Sequence, residues 1–204
     1  MTLVDHPLIA DRVTRLRDVH TPSAQFRQLV RSIGQLMVPA VTEDFETAKS
    51  RIETPLEPID GRRLAHPVVL VPILRAGLGM LDGFLDLLPE ARVAHIGLAR
   101  NEETLEPDTY YYNAPVELTS SEVLVLDPML ATGGTASETL RRLKKQGAQR
   151  LRFVCLVACP EGLRRLETDH PDVPVFAAAM DRELDAKGYI RPGLGDAGDR
   201  TFGT

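Results

Sequence analysis

Residues 123–135 run Val-Leu-Val-Leu-Asp-Pro-Met-Leu-Ala-Thr-Gly-Gly-Thr, and their order decides the fold. Val123 to Leu126 form a short apolar run closed by a charge and a proline, the pattern of a parallel strand buried on both faces. Asp127 and Pro128 end it, because proline has no N–H to give to a ladder. Ala131, Thr132, Gly133, Gly134 and Thr135 are small. They lead into Ala136, Leu140 and Leu143, spaced as one face of a helix that Gly147 is placed to end. A strand, a small polar loop and a helix start together suit a phosphate. Free backbone N–H groups point outward there, and the helix dipole favours negative charge. The two glycines let the backbone come close, and Thr132 and Thr135 add hydroxyl donors.

Taken alone, Thr-Gly-Gly is an ordinary strand-to-helix turn. No lysine follows the glycines as in a triphosphate-binding P-loop, and the stretch lacks the Gly-x-Gly-x-x-Gly of a dinucleotide fold. What distinguishes it is Asp127, five residues before Thr132. A carboxylate there can accept hydrogen bonds from sugar hydroxyls while the loop holds a phosphate. Together they point to a phosphorylated sugar.

The 204 residues suit one domain, 1–204, and 43% hydrophobic with 26% charged residues is ordinary for a globular protein. A net charge of -5 marks no surface for nucleic acid or acidic membrane, so an anionic substrate needs locally placed arginines and N–H groups. Cys155 and Cys159, the only cysteines, match neither a redox nor a zinc spacing, which predicts a reduced, cytoplasmic protein. The start, Met-Thr-Leu-Val-Asp-His, has no apolar signal region, and no apolar run approaches a membrane span. His6, His20, His66, His95 and His170 are scattered, with no structural-metal spacing.

Further strands are expected at 68–71, 93–98, 152–158 and 175–180, with helices between them, which implies an α/β fold with an open parallel sheet covered on both faces. Residues 1–45 read as helical: Leu8, Ile9, Val13 and Leu16 form one stripe, and Thr21-Pro22 reads as a cap before a second helix that Pro39 ends. Residues 50–66 read as a loop or short edge strand. Arg75, between a buried strand and Ala76-Gly77, occupies the position where open α/β sheets bind ligands. Its apolar neighbours argue for a buried cation with a partner. Residues 101–118, polar, aromatic and broken by Pro107 and Pro115, read as a projecting hairpin. Residues 188–204, with Gly188, Gly193, Gly195, Gly198, Gly203 and Pro192, are expected to be neither helix nor ordinary strand, but a tail or a rigid loop whose backbone reads a ligand.

Four motifs carry a resemblance, in one order along nearly the whole chain: Pro72-Ile-Leu-Arg-Ala-Gly-Leu-Gly-Met80, Arg100-Asn-Glu-Glu-Thr-Leu-Glu-Pro107, Asp127-Pro-Met-Leu-Ala-Thr-Gly-Gly134, and Tyr189-Ile-Arg-Pro-Gly-Leu-Gly-Asp-Ala-Gly-Asp199. They resemble the uracil phosphoribosyltransferase family of type I phosphoribosyltransferases. The resemblance implies conversion of uracil and 5-phosphoribosyl 1-diphosphate (PRPP) to UMP and diphosphate, in pyrimidine salvage. It implies PRPP contacts at Arg75, Arg100, Asp127, Pro128, Met129, Leu130, Ala131, Thr132, Gly133, Gly134, Thr135 and Asp196, with Arg75, Arg100 and Asp127 catalytic. Uracil contacts are implied at Tyr189, Ile190, Gly195, Asp196 and Ala197, with 188–204 as the base-binding loop and a small hood. It further implies Mg2+ held through PRPP rather than by protein ligands, the 101–118 arm over the site, a homo-oligomer (dimer or higher), and GTP as a candidate effector. The chain differs from the wider family in two places. One acid, Asp127, stands where most members have two, and Met37-Val-Pro-Ala-Val41 replaces a segment that usually carries tyrosine and glutamate. A purine-specific relative fits the C-terminal motif less well, and an RNA-binding regulator on this fold would need a basic face.

Overall fold

The computed structural model describes the backbone of residues 1–100, 107–113 and 117–204, and the side chains of 1–97, 111, 113 and 117–204. The chain opens with β1 (Thr2–Leu3), α1 (Pro7–Arg17) and α2 (Ser23–Val41), then a hairpin of β2 (Thr47–Glu53) and β3 (Pro58–Leu64). There follow β4 (Val68–Leu74), α3 (Leu78–Leu85), β5 (Arg92–Val93), β6 (His95–Arg100), β7 (Pro107–Asn113), β8 (Glu122–Leu126) and β9 (Met129–Leu130). The remainder is α4 (Gly134–Lys145), β10 (Arg150–Ala158), α5 (Pro160–Asp169), β11 (Val175–Met180), β12 (Glu183–Leu184), β13 (Ile190–Arg191) and α6 (Ala197–Phe202).

The main sheet runs β1-β11-β10-β8-β4-β6-β7, parallel except where β7 turns back along β6. The expected α/β architecture is thus observed. Alternation along the strands builds two cores. Leu124 and Leu126 of β8 join Leu70 of β4 in a core under α1, α2 and α3. Val123 and Val125 join Val69, Val71 and Ile73 in another, under α4 and α5. Because both faces are covered, these strands are apolar except for Glu122 at the start of β8.

From β4 the chain moves outward to β6, and from β8 it moves the opposite way to β10. β4 and β8 are neighbours whose connections diverge, and this switch in strand order opens a crevice at their carboxyl ends. Residues 75–77 and 127–128 lie at that crevice.

Several expectations are corrected. Pro39 does not end the second helix. It sits in the last turn, where one missing N–H removes a single bond, and the helix closes two residues later with the Thr42 N–H on Val38 O. Pro22, rather than Thr21, holds the N-cap position, while the Thr21 hydroxyl donates to Arg15 O. In place of a loop or one short edge strand over 50–66, residues 47–64 form the antiparallel β2–β3 hairpin, paired from Thr47↔Leu64 to Glu53↔Pro58. Its polar, mixed composition hid the pairing because neither face is buried. The glycine-rich 188–204 stretch includes β13 and α6. Gly188, Gly193 and Gly195 precede α6, Gly198 lies in its first turn and Gly203 is its C-cap, so the helix Ala197–Phe202 tolerates one glycine. Of the projecting arm, β7 is described as the partner of β6, whereas the tip at 101–106 and residues 114–116 lie outside the described residues. Cys155 and Cys159 are free and buried, and burial pushes the Cys155 thiol up, which leaves it inert. Among the described residues no helix is long and apolar enough to cross a membrane.

Candidate active site

At the crevice, Ala76, Asp127, Met129 and Ala131 face Gly188, Tyr189, Ile190, Gly195, Asp196, Ala197 and Gly198 across a cleft of about 260 Å³. The two glycine-rich motifs, far apart in the chain, share one cavity. Gly188 lies beside the loop at 131–135, where an added Cβ would come into ordinary contact with Thr132 Cγ2 at 3.9 Å.

Asp127 is half-buried at the end of β8, and the Met129 N–H reaches its Oδ1 at 3.5 Å. Desolvation pushes its carboxyl up to about 7, against the opposing pull of that N–H. Pro128 is buried, and its carbonyl accepts from the Leu156 and Val157 N–H groups, which bridges the ladder across the missing donor. Leu130 is packed into the core beneath α4. Of the predicted sugar-phosphate contacts, Pro128 and Leu130 therefore have no side chain in the cleft.

Gly133 starts α4 in the left-handed region, φ 76°, where an L side chain is strained. A Cβ there would also stand 2.9 Å from Gly162 O of α5. The glycine thus serves the turn and the helix packing together. Thr132 Oγ1 accepts from the Gly134 N–H at 3.5 Å, and the Thr135 carbonyl, in the first turn of α4, accepts the Thr139 hydroxyl.

Arg75 departs from expectation. Its side chain is 59% exposed, paired with Asp199 at 3.4 Å (Nη2–Oδ1), with its guanidinium carbon 5.9 Å from the Phe202 ring centroid. The flanking apolar residues belong to the strand, while the guanidinium swings out beside α6. Arg100 ends β6, and its side chain lies outside the described residues.

The C-terminal segment is a braced hood. Arg17 of α1 grips Asp181 through two bonds, at 2.7 and 2.6 Å, and donates to Gly193 O at 2.7 Å, while the Gly193 N–H returns to Asp181 Oδ2 at 2.8 Å. Arg200 donates to Leu194 O and Asp18 O and stacks 4.5 Å over Phe26. Asp185 accepts from the Lys187 and Tyr189 N–H groups and pairs with Arg191, and those bonds, Tyr189 first, hold its carboxyl below the usual range. Within this frame Ile190 and Ala197 are buried, Gly195 sits at φ 79°, and Tyr189 is exposed at the mouth. Asp196 Oδ1 caps α6 by accepting the Asp199 N–H at 2.9 Å.

Reading the sequence missed Arg17, Asp181, Asp185 and Arg200. Each is an ordinary charged residue whose partner lies far away or is a backbone atom, and no local pattern signals such a brace. The text Gly193-Leu-Gly-Asp-Ala-Gly198 does spell Gly-x-Gly-x-x-Gly. It follows a two-residue antiparallel strand rather than opening a βαβ unit, so it is no dinucleotide fingerprint.

The profile of the uracil phosphoribosyltransferase family matches residues 3–204. A uracil phosphoribosyltransferase of Malacoplasma penetrans is 50% identical over 205 residues, covering 100% of both chains. Among solved structures, the AQ2163 protein from Aquifex aeolicus superposes with a TM-score of 0.94 at 39% identity, covering 98% of this chain and 97% of that one. A hypoxanthine phosphoribosyltransferase from Staphylococcus aureus superposes with a TM-score of 0.55 at 14% identity over 89% of this chain and 90% of its own, a likeness of fold alone.

Proposed function

Since the chain belongs to the uracil phosphoribosyltransferase family and forms UMP and diphosphate from uracil and PRPP, we propose that the two substrates meet in the cleft beside Asp127. The supporting observation is that one cavity is lined both by Asp127, Met129 and Ala131 and by Ile190, Gly195 and Ala197. In this reading the backbone of 131–135 holds the 5′-phosphate at the start of α4. Asp127 accepts from the ribose hydroxyls, and Asp196 lies between ribose and base. Backbone groups around Ile190, Gly195 and Ala197 match the alternating donor and acceptors of uracil, with Tyr189 at the mouth. Cytosine would leave such groups unpaired.

The ring nitrogen of uracil bonds to the anomeric carbon and gives up its proton to water, while the carbon–oxygen bond to diphosphate breaks and its electron pair leaves with the diphosphate. Positive charge grows on the sugar and negative charge on the leaving group. Arg75 and Arg100 act as its counter-charges. The braced hood helps to exclude water from the reactive sugar. Among the described residues no group of three His, Cys, Asp or Glu could hold a metal. The cleft carboxylates are Asp127 and Asp196. This donor set fits a Mg2+ carried mainly by PRPP oxygens, and when bound it neutralises charge on the leaving diphosphate.

The same reading makes the protein cytoplasmic, GTP an effector and the chain a homo-oligomer. In the β2–β3 hairpin only Ser50 and Gly61 are half-buried and the other strand residues are exposed. Leu56 at its turn is 94% exposed, and Ile52, Ile59 and Leu64 also face solvent. A two-stranded hairpin is marginal in water by itself, so a second copy of the chain is the natural cover. Turnover of uracil, cytosine and hypoxanthine with PRPP and Mg2+, with and without GTP, tests the reading. Uracil is expected to be the base consumed, and preferred turnover of another would overturn it.

A further inference from the structure

Arg75 and α6 form a unit that the division of labour above does not use. Of the five N–H donors of a guanidinium, Arg75 engages one among the described residues, Nη2 on Asp199 Oδ1. Its flat face lies over Phe202, at 5.9 Å, within the range of cation–π attraction. Asp199 and Phe202 are three residues apart on α6 and so share one side of it. Asp199 is itself fixed: its N–H is bound by Asp196, and its Oδ1 accepts the Thr204 hydroxyl at 3.1 Å. The body of α6 abuts the same loop, since a Cβ on Gly198 would lie 3.9 Å from that of Ala76.

We propose that Asp199 is a positioning residue for Arg75, holding one edge of the guanidinium with Phe202 beneath it so that the remaining donors face the diphosphate of PRPP. The inference rests on the reading of Arg75 as a diphosphate contact. An ion pair this exposed adds little to stability. Its effect is to narrow the conformations of a long side chain before substrate arrives, which lowers the entropy lost on binding. It also ties the sugar-phosphate side of the cleft to α6, whose first residue, Ala197, touches the base side.

PRPP affinity measured by calorimetry without uracil, and the KM of each substrate, test this in Asp199→Asn, Arg75→Ala and the double variant. Asp199→Asn is expected to weaken PRPP binding roughly two- to five-fold, the effect of one part-exposed pair, and to leave the KM of uracil unchanged. Asp199→Glu should recover most of the loss. In the Arg75→Ala background Asp199→Asn should have no further effect. An unchanged or tighter PRPP affinity in Asp199→Asn, or an equal loss with and without Arg75, overturns the proposal while leaving the reading of Arg75 standing. Wild-type PRPP affinity and turnover in Arg75→Ala would remove that reading, and this inference with it.

Discussion

A Cβ on Gly77 would stand 2.4 Å from the carbonyl oxygen of Leu126. The chain leaving β4 therefore touches the end of β8 with no room for a methyl group, and this contact brings Arg75 and Asp127 to one crevice. The requirement is steric and comes from backbone, which cannot swing aside. Gly77→Ala is expected to destabilise the protein by roughly 1–3 kcal/mol, the usual result of overpacking, and to lower turnover by more than the lost stability explains. Chemical denaturation beside steady-state kinetics checks it. Unchanged stability would mean that the two strand ends separate easily.

Asp127 gives a pH prediction with a definite sign. Its carboxyl titrates near 7 in the folded protein, against 3.8 as its ordinary value, because burial disfavours the charge. Between those two values the folded state holds a proton that the unfolded state has lost. Stability from this group is therefore full at low pH and falls as pH rises towards 7. Asp127→Asn should raise the melting temperature at pH 7.5 by a few degrees, for a gain of about 1–3 kcal/mol. The same change removes the charge assigned to ribose, so turnover should fall steeply. In the unmodified protein kcat/KM for PRPP should rise with pH through about 7, and Asp127→Asn should lose that limb. A stabilised variant with full activity would separate Asp127 from the chemistry.

The base loop can be probed at three residues with distinct outcomes. Ala197, buried beside the cleft, should tolerate valine in the fold but crowd the base, raising the KM of uracil more than that of PRPP. Asp196→Asn should preserve the α6 cap, since asparagine caps as well as aspartate. Any loss of PRPP affinity then reports on the sugar, and the preference for uracil over cytosine should hold. Gly193→Ala should be the most damaging, because φ is 65° there and the new Cβ would fall 2.1 Å from Ile190 O. Kinetics with uracil and cytosine, titrating each substrate separately, make the comparison. Admission of cytosine by Asp196→Asn would sink backbone reading of the base.

Polar substitution of the hairpin tests its role as an interface. Leu56→Glu and Ile52→Lys leave both cores untouched and should shift the protein towards the monomer in sedimentation at micromolar concentration. If the assembly of both variants matches that of the unmodified chain, the hairpin does not join the copies.

Much of the fold was legible because it depends on local pattern. The apolar run at 123–126, the small loop after it and the helical spacing behind it identify β8, the Gly133–Gly134 turn and α4 without any tertiary information. Val175–Met180 was readable for the same reason. The β2–β3 hairpin was not, since its strands bury neither face and so carry no alternation. Arg75 was placed correctly in the chain but given the wrong surroundings, because its neighbours in sequence lie in the sheet while its neighbours in space lie on α6. The base loop could be recognised by its text. The braces that hold it, Arg17 to the Asp181 carboxylate and Arg200 to the Asp18 carbonyl, join positions far apart in the chain, and no local pattern singles these arginines out from the others.

Those braces also bear on the order in which the molecule assembles. Arg17 and Asp181 are separated by 164 positions, and Arg200 reaches Asp18 across 182. Contacts so distant in sequence are unfavourable to form early, because most of the chain must already be closed into a loop before they are made. The sheet from β4 to β11 with α3, α4 and α5, built from nearer neighbours, should condense first, and the hood should dock afterwards, as should β1, whose Thr2 pairs with Phe176. Refolding from denaturant should then regain far-ultraviolet circular dichroism before it regains the ability to consume uracil. Loosening Arg17 should speed unfolding far more than it slows folding.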